Sequence, residues 1–152
     1  MLPPVFGKRA NRMDKNALND FLNKHFPQIK KIGVVREVTD REVIFSLQPD
    51  DSHLRPGNTI SGPTMMALAD VTAYGTILNR IGPKALAVTT NLNIHFLRKP
   101  QANVPMLARG SLLKLGKRLA ICEVAIEQRS QTNAEPALVA HCTCTYSIPP
   151  QT

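Results

Sequence analysis

The chain has no tryptophan, few other aromatic residues and no long hydrophobic run. Its 152 residues include only 2 tyrosines and 5 phenylalanines, and no aromatic–basic motif of the RNA-recognition type occurs. No stretch approaches the roughly 18 consecutive apolar residues of a membrane span. These absences argue against a nucleic-acid-binding protein and against a membrane protein. The odd number of cysteines, 3, gives no disulfide framework and favours a reducing, cytoplasmic location.

Acidic residues are in the minority, since 11 Asp and Glu stand against 19 Lys and Arg and give a net charge of +8. The basic residues are scattered along the chain, which gives a nucleic-acid partner little support. A basic surface suits an anionic small molecule, such as a phosphorylated cofactor, equally well. A basic nucleic-acid binder is the alternative, and it predicts strongly salt-dependent binding to DNA or RNA.

Length and composition predict a single domain over residues 1–152, with 43% hydrophobic content to form its core. Residues 1–13 are basic and proline-containing and are predicted to be flexible. An amphipathic helix is predicted over residues 14–26, and Pro27 ends it. Alternating polarity and turn signals predict strands over residues 32–38, 42–47, 85–97, 104–115, 119–128 and 137–148.

The predicted strand over residues 85–97 has a clear alternation. The even-numbered residues from Val88 to Phe96 are predicted to share one face. The odd-numbered residues from Thr89 through Asn91 to His95 are predicted to share the other face.

An acidic residue, Asp70, lies in the middle of the most apolar segment of the chain. Residues 61–82 are predicted to form one long helix, which Ser61 opens and Gly82 stops. A helix that is apolar on nearly every side belongs inside a protein. An ionised carboxylate there is costly unless it is paired, hydrogen-bonded or used in chemistry. Asp70 is therefore either a satisfied structural acid or a catalytic one.

The order of elements predicts an α+β fold. One helix, two strands, one long buried helix and further antiparallel strands describe a layered structure in which a single antiparallel sheet wraps around one long central helix. Because a lone sheet cannot bury such a helix on all sides, we expect a homodimer or a dimer of dimers.

Two segments and the strand that follows them carry a family resemblance. Residues 54–63 read Leu-Arg-Pro-Gly-Asn-Thr-Ile-Ser-Gly-Pro, and residues 68–70 read Leu-Ala-Asp. Order and motif resemble the hotdog fold, and more narrowly the acyl-CoA thioesterases of the phenylacetic-acid-degradation type. That family usually reads Leu-Asn-Pro-Asn-Gly-Thr-Val-His-Gly-Gly in the first segment. The strand over residues 88–98 is also similar, so that the resemblance spans about residues 30–148.

The resemblance implies a chemistry for three residues. The backbone N–H of Gly62, where the long helix begins, would polarise the thioester carbonyl, because free N–H groups and the positive end of the helix dipole gather there. Asp70 would act as a general base on water or attack the carbonyl itself. Thr89 matches a position where the family often has a hydroxyl near the catalytic acid. In such dimers, Gly62 of one subunit would face Asp70 of the other.

The sequence departs from the family pattern at the predicted substrate-binding positions. Ser61 stands where a histidine is common, Arg55 replaces an asparagine, and Asn58 follows a displaced glycine. Ser61 can still cap the helix. Arg55 could bind a carboxylate or phosphate or pair with Asp70, which would make Asp70 a weaker base. The remaining predicted substrate-binding residues are Arg98 and Lys99, expected at the phosphates of coenzyme A.

Other functions on the same scaffold stay open. An enoyl-CoA hydratase usually presents a His-Asp or related pair, which is not visible beside Asp70. A non-catalytic acyl-CoA-binding protein would bind its ligand tightly without turnover, and the missing histidine and asparagine favour it. No Cys-x-x-Cys or His-Glu-x-x-His pattern occurs, so no metal is expected. No redox cofactor is expected either, and coenzyme A enters only as part of the acyl-CoA substrate.

Overall fold

A computed structural model describes residues 13–84, 86–129 and 135–150 of the chain. The segment predicted to be flexible, residues 1–13, lies outside the described residues except for Met13. Within these described ranges no helix is long and apolar enough to cross a membrane.

Two α-helices form where capping residues predict them. Helix α1 spans Lys15–His25 and begins at Asp14, whose carboxylate accepts a hydrogen bond from Ala17 N at 2.8 Å. Helix α2 spans Gly62–Ile81 and ends at Gly82, which has a φ of 88°. A left-handed residue at a helix end favours glycine, because other side chains meet the following carbonyl there. Both predicted helices are thus confirmed to within a residue at each end.

The chain forms one large antiparallel sheet and one small hairpin. Its strands are β1 (Val34–Val38), β2 (Val43–Leu47), β3 (Leu54–Arg55), β4 (Thr59–Ile60), β5 (Val88–Phe96), β6 (Met106–Leu115), β7 (Leu119–Gln128) and β8 (Ala137–Ser147). The order in the large sheet is β1-β2-β6-β7-β8-β5, and β3 pairs with β4. The six predicted strands are confirmed, with ends that differ by three residues or fewer.

Sequence patterns did not predict the short elements. A 3-10 turn over Pro27–Lys31 follows α1, and another over Asp51–His53 precedes β3. The β3–β4 hairpin lies in a segment that reads as a turn-rich loop. Its connection contains Gly57 with a φ of 95° and Asn58 with a φ of 55°. Glycine and asparagine are the residues that most readily adopt this left-handed conformation, so either order of the two residues suits the turn.

The sheet wraps around α2, which forms the centre of the core. The helix and the sheet approach each other closely at two glycines, which allows the sheet to wrap around the helix. A Cβ added to Gly75 of α2 would lie 2.7 Å from the fully buried ring of Phe45 on β2. A Cβ added to Gly110 on β6 would fall on Thr76 Oγ1 and lie 3.0 Å from Thr72 Cγ2. The expected hotdog arrangement, a largely antiparallel sheet around one long central helix, is confirmed.

One stripe of α2 is left uncovered by the sheet. The residues of this open stripe, which are spaced three or four apart on one helix face and are all partly or fully exposed, are Pro63, Met66, Ala67, Asp70 and Tyr74. The stripe runs beside β5, the edge strand, since Asp70 bonds to Thr89 at one end and Gly62 approaches Phe96 at the other. Val88 and Phe96 on that edge are 56% and 50% exposed.

A β-bulge interrupts β5 near its start. Thr89 is opposite Tyr146 on β8 whereas Asn91 is opposite Thr145, the next residue along, so Thr90 is the extra residue. Tyr146 points into the core and Thr145 away from it, so Thr89 and Asn91 lie on opposite faces. The prediction that these two residues share a face is therefore wrong. The extra residue turns Thr89 towards α2.

Candidate active site

Two hydroxyl groups hold the carboxylate of Asp70. Thr89 Oγ1 donates a hydrogen bond to Asp70 Oδ1 at 2.6 Å, and Tyr146 OH donates to the same oxygen at 2.7 Å. The Tyr146 hydroxyl also lies 3.0 Å from the main-chain carbonyl oxygen of Asp70. No side chain or backbone group within the described residues bonds to Oδ2. The carboxylate is thus fixed by one oxygen, and its second oxygen can accept a proton from another molecule.

Asp70 opens into a cavity of about 390 Å³, the Asp70 cavity. Thr89 and Tyr146 also line it, and the C-terminal end of α1 contributes His25. The apolar and aromatic part of its wall is formed by Phe26, Val71, Tyr74, Ala87 and Val88. No lysine or arginine belongs to the described lining. Such a cavity suits an uncharged apolar group placed beside a carboxylate.

The environment keeps Tyr146 protonated. Burial raises the pKa of Tyr146, and the negative charge of Asp70 raises it further, which outweighs the opposing hydrogen bond with Thr89. Tyr74 stacks on Tyr146 with ring centroids 6.0 Å apart, and burial raises its pKa as well. Tyr146 is therefore a lasting hydrogen-bond donor to Asp70 and not a source of charge.

Three free thiols lie beneath this part of the site. Cys142 and Cys144 lie on one side of β8 with their sulfur atoms 3.5 Å apart, and Cys122 is opposite Cys144 on β7. All three are fully buried, as predicted for small core residues. Burial raises the pKa of Cys122, so its thiol is not poised to act as a nucleophile.

At the other end of the open stripe, the start of α2 presents one unpartnered N–H group. Ser61 Oγ accepts a hydrogen bond from Thr64 N at 3.2 Å, so Ser61 caps the helix as predicted. The N–H of Ser61 itself donates to His53 O at 2.9 Å, and Pro63 has no N–H. No acceptor for the N–H of Gly62 occurs in the described part of the chain. Gly62 is thus the free donor at the positive end of the helix.

Gly62 opens into a second cavity of about 610 Å³, the Gly62 cavity. Three cationic side chains line it, those of Arg55, Arg98 and Lys99. The hairpin that carries Arg55 is tied to the loop after β5, because Thr59 Oγ1 donates to Pro100 O at 2.7 Å. Predicted site residues from three parts of the chain therefore meet here. The anionic part of a ligand would find its complement in this cavity.

The predicted site residues thus form two groups. Asp70 and Thr89 share one cavity, whereas Gly62 lines the other, eight residues and about 12 Å away along the helix axis. Arg55 lies with Gly62, and among the described residues it makes no ion pair with Asp70. The exposed turn residue Asn58 and the cap Ser61 are not part of the described lining of either cavity.

Sequence reasoning missed Tyr146. Its contact with Asp70 joins residues 76 positions apart, which no local pattern reveals. The sequence contains only a weak indication that Tyr146 belongs to the site. Tyr146 is one of only two tyrosines and falls on the buried face of a strand whose other inward residues are small. A buried tyrosine hydroxyl needs a hydrogen-bond partner, and Asp70 needs a donor.

Comparison with known proteins gives this geometry a family context. A sequence model of the thioesterase superfamily matches residues 57–135, slightly more than half of the chain. A protein of Silicibacter sp. TM1040, whose crystal structure is described as that of a "putative thioesterase", is 42% identical. The similarity covers 91% of this chain and 93% of that one, with a TM-score of 0.79.

Two further relatives are more distant. A mutant of the phenylacetic acid degradation protein PaaI from Thermus thermophilus is 25% identical, with a TM-score of 0.69. The match covers 81% of this chain and 99% of that protein. A "putative esterase" of Thermoplasma acidophilum is 27% identical over 97 residues, which are 60% of this chain and 67% of that protein.

Proposed function

The chain belongs to the thioesterase superfamily, and from this premise we propose that it hydrolyses acyl-CoA thioesters with Asp70 as its catalytic acid–base group. The observation that carries the proposal is the state of the Asp70 carboxylate. Thr89 and Tyr146 hold Oδ1, and Oδ2 is left to meet a water molecule in the cavity. A general base must reach the proton that it removes, and a fixed carboxylate with one free oxygen meets that need.

In the proposed reaction, Asp70 Oδ2 takes a proton from water as the water oxygen attacks the thioester carbonyl carbon. The carbonyl oxygen becomes an oxyanion, which the N–H of Gly62 stabilises. Collapse of this intermediate breaks the carbon–sulfur bond. The thiolate of coenzyme A leaves and takes up the proton, and the carboxylic acid is released. Direct attack by Asp70, followed by hydrolysis of the anhydride, is the second route that the same two groups support.

The charges of the two cavities support an orientation for the substrate. The Gly62 cavity carries Arg55, Arg98 and Lys99, which complement the phosphates of coenzyme A. The Asp70 cavity is lined by apolar and aromatic side chains, which complement an uncharged acyl group. We therefore place the acyl group beside Asp70 and the nucleotide beside Gly62, with the thioester between them.

Such a substrate needs two subunits. Within one chain Gly62 and Asp70 are about 12 Å apart along α2, too far to act on one carbonyl group. The two groups lie near opposite ends of β5, since Asp70 bonds to Thr89 and Gly62 approaches Phe96. If the β5 strands of two copies pair antiparallel about a two-fold axis, the Phe96 end of one strand meets the Thr89 end of the other. Gly62 then faces Asp70 of the second copy.

The exposed surface supports this homodimer. β5 is an edge strand of nine residues, and a long, partly apolar edge tends to pair with another strand. The open stripe of α2 lies beside it and exposes Met66 at 41%. A second copy on this face would cover both.

Three free, buried cysteines further support a reducing, cytoplasmic compartment for the enzyme.

The test is free-thiol release from short, medium, long and aromatic acyl-CoAs. The change Asp70→Asn keeps the size of the side chain but removes the base, and we expect kcat to fall at least about a hundredfold. The matched control is Asp20→Asn, which makes the same change at an exposed position of α1 and should leave kcat unaltered. Acyl-pantetheine thioesters, which lack the nucleotide phosphates, should show a higher KM than the corresponding acyl-CoAs.

Two results would contradict the proposal. Full activity in Asp70→Asn would show that Asp70 is not the base. Tight binding of acyl-CoA by the wild-type chain, without thiol release from any member of the panel, would favour a non-catalytic acyl-CoA-binding protein.

A further inference from the structure

We propose that Tyr146 is a positioning residue for the reaction, which fixes the orientation of the Asp70 carboxylate towards the attacking water. The inference rests on the proposed thioesterase function. It concerns a residue that touches Asp70 and no reacting atom of the substrate. Its basis is the contact of one hydroxyl group with both the side chain and the main chain of Asp70.

The geometry makes Tyr146 the better anchored of the two donors. Its hydroxyl lies 2.7 Å from Asp70 Oδ1 and 3.0 Å from Asp70 O, so it relates the carboxylate to the helix backbone. Tyr146 is only 3% exposed, and Tyr74 stacks against its ring. Thr89, the second donor, is an exposed residue on the edge strand. The orientation of the carboxylate therefore depends chiefly on the buried tyrosine.

The hydroxyl of Tyr146 lies beside Asp70 and Thr89, the two side chains of the candidate active site. Packing at this core position needs an apolar ring, which phenylalanine would supply as well. The hydrogen-bond acceptors that the structure gives the hydroxyl are two oxygens of Asp70. A buried hydroxyl is costly unless it is hydrogen-bonded, so the pairing with Asp70 explains why a tyrosine can occupy the position.

The contact has a consequence for the rate of the reaction. Tyr146 holds the oxygen that does not take the proton, so loss of its hydroxyl leaves Asp70 Oδ2 less well aligned with the water. The residues that line the two cavities are unchanged, so substrate binding should be little affected. Burial and the charge of Asp70 keep the pKa of Tyr146 raised, so the tyrosine itself stays neutral.

The first test is Tyr146→Phe, measured by kcat and KM at neutral pH with the best acyl-CoA of the panel. A hydrogen bond to a charged group is worth about tenfold in an equilibrium. We expect kcat to fall about tenfold, with KM little changed. The control is Ser147→Ala, which removes a hydroxyl from the outer face of the same strand and should leave both quantities unchanged.

A second variant tests the same contact without removing it. The 3-fluorotyrosine analogue at position 146 keeps the ring and the hydroxyl but makes the hydroxyl a stronger donor, since fluorine renders the phenol more acidic. The analogue should then keep a kcat close to the wild-type value, and a loss of kcat as large as that in Tyr146→Phe would contradict the role of the hydroxyl. This comparison remains valid even where the phenylalanine variant folds poorly.

The outcomes separate the two proposals. Loss of activity in Asp70→Asn, together with a lower kcat in Tyr146→Phe that the 3-fluorotyrosine analogue does not show, supports the positioning role. An unchanged kcat in Tyr146→Phe, while Asp70→Asn is inactive, overturns the role of Tyr146 and leaves the thioesterase proposal intact. Full activity in Asp70→Asn overturns the proposed mechanism, and the role of Tyr146 with it.

Discussion

Replacing Gly62 by proline removes the proposed oxyanion donor, and it also adds a Cβ next to Phe96 and Pro63, as an alanine control does. Proline lacks an N–H group, and Gly62 is the first residue of α2, a position where proline is well tolerated. The residue before a proline must be extended, and Ser61 already is, with φ −71° and ψ 151°. The cap of Ser61 on Thr64 N does not involve residue 62, so the helix should still begin at the same place.

The structure sets the size of the expected effect. Among the first residues of α2, Thr64 N is bound by the cap and Pro63 has no N–H, so Gly62→Pro leaves no free donor there. Loss of one oxyanion donor costs about 10² to 10³ in kcat, or about 2.7–4 kcal/mol. We expect a value near the lower limit, about a hundredfold, because the positive end of the helix dipole remains.

The assay is thiol release under saturating acyl-CoA, with Gly62→Ala as the matched control. Alanine keeps the N–H, and its Cβ would lie 3.4 Å from Phe96 Cζ, a contact that a small movement of the exposed ring relieves. Gly62→Ala should therefore keep most of its activity. Equal losses of kcat in the two variants would show that crowding against Phe96, and not the missing N–H, is responsible. The oxyanion role of Gly62 would then be wrong.

Two further predictions concern the dimer and the core. Random mixing of equal amounts of inactive Gly62→Pro and Asp70→Asn chains should restore about one quarter of wild-type activity, because about half of the dimers are mixed and each of these holds one intact site out of two. No recovery of thiol release would contradict a shared site. Gly110→Ala should lower the free energy of unfolding in urea by about 1–3 kcal/mol, because its Cβ would overlap Thr76 Oγ1 of α2. The control is Gly116→Ala, where the added Cβ meets only Leu119 O at 3.4 Å and should have little effect. Equal losses of unfolding free energy in the two variants would refute the packing argument.

The features that the sequence could predict are those encoded by neighbouring residues. Helix α2 follows from an apolar run between a serine cap and a terminal glycine, and both ends are confirmed. Asp70 stands out because a carboxylate is unexpected in such a helix. The strands follow from alternation and turn residues. In each case the interactions that determine the structure join residues that are only a few positions apart in the chain.

The rest depends on contacts between distant parts of the chain. Alternation alone placed Thr89 on the face of Asn91, because a periodicity of two cannot indicate where a bulge adds a residue. The partnership of Tyr146 and Asp70 requires β8 and α2 to be packed together. The sequence also left open whether Arg55 pairs with Asp70. Its place at the Gly62 cavity follows only from the contact between the β3–β4 hairpin and the loop after β5.

The bulge at Thr90 divides β5 into two segments whose side chains are oriented independently. Before it, Thr89 is turned towards Asp70, to which its hydroxyl donates a hydrogen bond. After it, Leu92 and Ile94 keep the regular alternation of a strand packed on the core. The extra residue absorbs the mismatch between these two orientations, so each part of the strand keeps its own contacts. Deleting Thr90 would reverse the orientation of Thr89 and take its hydroxyl away from Asp70.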